Sequence, residues 1–183
     1  MRLRPPTFYA WLSVATSLVT LTLKFSAYYL TGSVGLLSDA VETFVNIFAA
    51  LVALGVLTYS AMAPDRDHNF GHEKAQYFSS GIEGALIFGA AGAIVWTAIP
   101  RLTAPQPLEQ VGLGIVLSVA AALANAACAF VMLRAAREHR SITLEADARH
   151  LLTDVWTTGG VLVGVVLVQA TGWLRLDPIV AIL

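Results

Sequence analysis

Charge is what this sequence has least of. Only 13% of its 183 residues are Asp, Glu, Lys or Arg, where a soluble domain carries about 25%, and 57% are apolar, with a mean hydropathy of +0.71. The 12 acids and 11 bases nearly cancel, leaving a net charge of -1 and neither a nucleic-acid surface nor an acidic tail. Cysteine is almost absent. Cys128 stands alone in an apolar run, which excludes a disulfide framework and a paired-cysteine zinc site and reads as a small core hydrophobe. There is no His-Glu-x-x-His helix, nucleophile elbow or phosphate-cradling glycine loop, so a membrane-embedded hydrolase has no signature here and an enzyme is not expected.

Long apolar runs are what the sequence does have. A span of hydrocarbon takes about 20 helical residues, and the windows 7–30, 34–60, 76–100, 108–133 and 142–170 meet that length. The first follows a basic start, Arg2 and Arg4, but has no small-residue cleavage site, so it reads as a retained helix and not a signal peptide. Asp177-Pro178 opens a further helix with proline in its first turn, yet the seven residues to Leu183 cover only about 10 Å. The expectation is an all-α membrane protein, a six-helix bundle occupying 1–183 whose sixth helix is truncated.

Positive residues set the orientation. Arg2, Arg4, Arg66, Lys74, Arg134, Arg137, Arg140 and Arg149 fall on one side, the last four around a loop expected over 134–149, and only Arg101 and Arg175 on the other. Eight against two places the N-terminus in the cytoplasm, in a multi-pass protein of the cell (inner) membrane.

Charge inside the spans is the unusual feature, because an ionisable group at mid-bilayer costs about 2.5 to 3.5 kcal/mol on insertion scales. Asp39, Glu42 and Asn46 stack on one face of span 2, and Asp147, His150 and Asp154 on one face of span 5. Glu42 with Asn46 and His150 with Asp154 are matched i, i+4 pairs, and four such donors from two facing helices can enclose one divalent cation. The bland alternative is polar contact between helices, the reading preferred for Asn125 and Glu83 taken singly. Asp39 and Asp147, one turn toward the helix starts, read either as proton relays or as helix-end charges. A second constellation, Asp65, His68 and His72, lies in the loop after span 2; it can chelate zinc or a similar ion, although a solvated loop needs no such role. Gly81, Gly84, Gly89, Gly92, Gly159, Gly160 and Gly164 read as places where helices approach and slide, or simply pack.

Taken in order along the whole chain, these residues resemble the cation diffusion facilitator family of divalent-metal transporters. Gly32–Asn46 (GSVGLLSDAVETFVN) is similar to that family's second transmembrane helix, Phe70–Ala75 (FGHEKA) to its loop signature, and Glu145–Asp154 (EADARHLLTD) to its fifth helix. The resemblance implies six transmembrane helices, a homodimer, a cytoplasmic C-terminal metal-sensing domain absent from these residues, and exchange of cytoplasmic metal for external protons. It assigns Glu42, Asn46, His150 and Asp154 to the transport site and Asp65, His68 and His72 to a cytoplasmic loop site. No cofactor is implied beyond the transported ion. The family's usual span-2 pair is aspartate or histidine followed by aspartate; Glu42 and Asn46 depart from it.

One carboxamide, one imidazole and two carboxylates make an oxygen-rich set, suited to Mn(II), Fe(II) or Co(II) as well as Zn(II). An imidazole binds metal only when neutral, so protons and metal compete for the same nitrogen, which is the basis of an antiport. A non-transporting metal sensor or partner subunit is the alternative, alongside the disfavoured hydrolase.

Overall fold

The computed structural model describes residues 6–60, 75–139 and 141–182. They form six helices: α1 (Pro6–Thr31), α2 (Val34–Ser60), α3 (Ala75–Thr103), α4 (Val111–His139), α5 (Ile142–Thr171) and α6 (Leu176–Ile182). No strand occurs among the described residues. The first five have 26, 27, 29, 29 and 30 residues, long enough at 1.5 Å per residue to cross a hydrocarbon layer of about 30 Å.

Burial is inverted relative to a soluble protein. Trp11, Leu18, Phe88, Trp96, Leu123 and Trp156 are exposed, whereas Lys24, Asp39, Asn125 and Asp154 are inside. Such a surface is stable only in an apolar solvent. Among the described residues, Gly84–Thr103, Val111–His139 and Leu144–Thr171 are apolar and long enough to span by composition alone. α1 is diluted by Lys24 and by hydroxyls, but Thr16, Thr22 and Ser26 donate to the carbonyls of Leu12, Leu18 and Thr22 four residues back, so their polar atoms are spent within the helix.

α4 packs along both α1 and α5, α2 pairs with α1 and α3, and α6 sits among α2, α3 and α5. The α1–α4–α5 core is built from small residues, Ala129, Ala135, Ala136 and Ala148, around Met132 and Leu151, which lets backbones approach closely. At the other end Gly114 meets α1 directly: a Cβ there would run into Thr31 Cγ2. Gly114→Val is therefore expected to wedge α4 from α1 at a cost of about 1–3 kcal/mol, read as a lowered Tm in detergent; an unchanged Tm would show that Thr31 gives way.

The turn between α1 and α2 is tightly specified. Gly32 takes φ 65°, which a side chain would oppose, and donates its N–H to the Tyr28 carbonyl at 2.8 Å. The Ser33 hydroxyl then caps α2 by accepting from Leu36 N at 3.1 Å. A second cap comes from α6. The Asp177 carboxylate accepts from Val34 N at 2.7 Å, from Gly35 N at 3.2 Å and from the Ser33 hydroxyl, pinning α6 to the start of α2.

Three expectations are corrected. The loop expected over 134–149 is almost all helix: α4 runs on to His139, and α5, capped by Ser141, starts at Ile142, the first residue of the expected window 142–170. Arg134, Arg137 and Arg149 are helical, and Arg134–Glu138 and Arg149–Glu145 pair at i, i+4 on solvent-facing surfaces. α3 continues past Pro100 to Thr103, since a proline near a helix end disturbs only the bonds of the preceding turn, while α4 begins at Val111 and not 108 because Pro105 and Pro107 keep the approach extended. Of the glycines read as close-approach points, Gly81, Gly84, Gly89, Gly92, Gly159 and Gly160 face open space. Only Gly164 is packed, with Val180 Cγ2 2.7 Å from where a Cβ would stand.

Candidate cation site

α2 and α5 bring the two sequence-expected pairs to comparable depth. Asn46 lies twelve residues into α2 and Asp154 twelve into α5, about 18 Å along each axis from opposite ends of the bundle. Three- and four-residue spacing sets Asp39, Glu42 and Asn46 on one side of α2, and the same rule sets His150, Asp154 and Thr158 on one side of α5.

The Asp154 carboxylate is 5% exposed and lies beside the Asn46 carboxamide, within electrostatic reach of His150, Lys24 and Asp39. Glu42 is within reach of Asp154, Asp39, Lys24 and His150. His150 is exposed, one turn from Asp154. All four expected ligands thus share one electrostatic neighbourhood. They are not drawn tight around a single point: among the described residues no three His, Cys, Asp or Glu groups stand close enough to hold one ion. Two carboxylates, an imidazole and a carboxamide are nonetheless a donor set that suits a divalent cation.

Glu42 and Asn46 also line a cavity of about 460 Å³ between α2, α3 and α6. Ser38 and Glu42 are on its polar side, and Ile87, Ile94, Val95 and Ala181 make the apolar wall. The α2 half of the site therefore opens into space that a hydrated ion can occupy.

Asp39 is not a helix-end charge. It is 2% exposed and accepts from the Lys24 ammonium at 2.8 Å and from the Thr158 hydroxyl at 3.0 and 3.1 Å. Lys24 also donates to Thr43 Oγ1 at 2.9 Å. Helical spacing within either helix does not reveal this buried ion pair, but the hairpin does: Lys24 stands eight residues before Gly32 and Asp39 seven after it, so a turn there sets them side by side. Asp147 is half-buried within range of Cys128 and has no hydrogen bond or ion pair among the described residues. Asn125, expected to bond a neighbouring helix, is fully buried with both amide atoms unpartnered among the described residues, as is the Ser118 hydroxyl. Asp65, His68 and His72 lie outside the described residues.

Helices with apolar outer faces enclosing carboxylates and a lysine define an integral, multi-pass membrane protein built around intramembrane charge. The chain belongs to the cation efflux family: the family's model of the cation efflux transmembrane domain matches residues 10–183. It is 51% identical over 174 residues to an uncharacterized transporter of Synechocystis, covering 95% of this chain and 56% of that protein. It is 32% identical to the cation-efflux pump FieF of Shewanella oneidensis over 171 residues, covering 93% of this chain and 57% of the relative. FieF of Klebsiella pneumoniae is likewise 32% identical over 170 residues, with 93% and 56% covered. The chain thus spans a little over half the length of these curated relatives.

Proposed function

We propose that this protein carries divalent metal cations out of the cytoplasm across the cell (inner) membrane in exchange for protons, through a site formed by Glu42, Asn46, His150 and Asp154. The observation that carries the reading is that Glu42 and Asn46 on α2 share one electrostatic neighbourhood with Asp154 and His150 on α5, with the α2 pair lining a cavity, in a chain of the cation efflux family. Carboxylates at that depth are costly unless paired with a cation or a proton, so binding one excludes the other.

In this reading a metal ion reaches Glu42 and Asn46 from the cavity, and a side-chain closure on α5 completes its coordination through Asp154 and His150. Zn(II), Fe(II), Mn(II) and Co(II) all fit the donor chemistry. Asp65, His68 and His72 would gather metal on the cytoplasmic side, where the excess of arginine and lysine also puts the N-terminus. Asp147, with no ion pair among the described residues, is the freer of the two relay candidates; Asp39 is held by Lys24. A homodimer is part of the proposal. α3 supports it with small residues at every fourth position, Gly81, Ala85, Gly89 and Ala93, all exposed, the spacing that lets two membrane helices meet closely.

Zinc flux into proteoliposomes under an imposed proton gradient tests the reading. Flux that rises with the gradient is the expected result; zinc binding without flux would replace it with a sensor or partner subunit. Calorimetry in buffers of different ionisation enthalpy counts protons released per zinc bound, and His150→Ala is expected to release fewer than wild type. An equal count would move the coupling from His150 to a carboxylate.

A further inference from the structure

The four proposed ligands occupy two helices, and a further set of buried groups outside the ligand set also links those helices. Lys24 on α1 is the one fully buried cation among the described residues. Its ammonium donates to Asp39 and Thr43 on α2 at 2.8 and 2.9 Å, and Asp39 accepts from Thr158 on α5 at 3.0 and 3.1 Å. Asp39 precedes Glu42 by three residues and Thr158 follows Asp154 by four. The link therefore stands one helical turn from each ligand pair.

Charge gives the arrangement its meaning. Lys24 and Asp39 cancel each other, which leaves Glu42 and Asp154 as two negative charges facing a cargo with two positive ones. The same ammonium lies within electrostatic reach of both Glu42 and Asp154. Without it a third carboxylate would stand uncompensated in the same interior, where a metal cation is the available replacement.

We propose that Lys24 is a positioning residue of the cation site, acting through Asp39. It closes a clamp across α1, α2 and α5 that sets the register of the two ligand pairs, and it keeps Asp39 off the cargo, so that the ion meets two carboxylates and not three. This inference rests on the reading of Glu42, Asn46, His150 and Asp154 as the cation site.

A split between binding and turnover tests it, with zinc as the probe and the protein reconstituted in liposomes. Lys24→Met frees Asp39 to become an additional ligand, so zinc should bind about fivefold or more tighter while maximal flux falls about tenfold or more. Lys24→Met with Asp39→Asn removes both charges and keeps an acceptor oxygen for Thr158, so affinity should return to within about threefold of wild type and flux should recover in part. A merely structural defect lowers flux without tightening binding. Wild-type affinity and flux in Lys24→Met, or a defect that Asp39→Asn does not relieve, would overturn the proposal. Should Lys24→Met fail to fold, Thr158→Val removes only the α5 leg: a flux loss restored by Thr158→Ser supports the clamp, and unchanged flux refutes it. Wild type that neither binds nor moves zinc would instead sink the underlying site assignment, so the two failures are distinguishable.

Discussion

Proteoliposomes carrying Asp154→Ala or Glu42→Ala should take up no zinc above the protein-free background, at wild-type levels of inserted protein. These two carboxylates supply all the negative charge left at the proposed site once Lys24 has neutralised Asp39. Removing one leaves a single formal negative charge facing a divalent ion in a medium of low dielectric constant, where an uncompensated charge costs several kcal/mol. A loss of about 3 kcal/mol already lowers affinity more than 100-fold. Insertion should be unaffected, because alanine is more easily accommodated in hydrocarbon than either acid. Wild-type uptake in either variant would show that the cation passes elsewhere.

The second large effect is structural. Asp177→Ala should destabilise the bundle by about 2–4 kcal/mol, since it strips one carboxylate from two α2 amides and a hydroxyl at a buried helix start. Asp177→Asn keeps one acceptor oxygen and should fall between the two. The measurement is thermal unfolding in detergent, followed by far-ultraviolet circular dichroism. Equal melting of Asp177→Ala and wild type would mean that Ser33 alone suffices as the cap.

The helical class and the polar faces of α2 and α5 were legible in the sequence because both follow from short-range rules. A run of about 20 apolar residues has few alternatives to a spanning helix, and three- and four-residue spacing puts Glu42 with Asn46, and His150 with Asp154, on single faces. What escaped was tertiary. Arg134 and Arg149 looked like loop because charge marks the ends of spans, yet a helix continues readily into water when Glu138 and Glu145 partner them. Asp39 stayed open between proton relay and helix-end charge because its partner is on another helix, and Asp177 looked only like a helix start because the amides it caps are 143 and 142 residues away. The glycines of α3 satisfied a packing pattern with no packing partner inside the chain, since sequence spacing states which face is small and not what meets it.

The cap on α2 also bears on how the chain is made. Ser33, Val34 and Gly35 leave the ribosome more than 140 residues before Asp177 does, and at about 5–20 residues per second that is an interval on the order of ten seconds. Throughout it the first helical hairpin can insert, but the amides at its turn must be satisfied by water or lipid headgroups. The helix carrying Glu42 and Asn46 receives its final anchor only when α6 arrives, so completion of the proposed cation site is tied to synthesis reaching the sixth helix, and a ribosome that stalls before residue 177 leaves an inserted bundle whose second helix is not yet anchored.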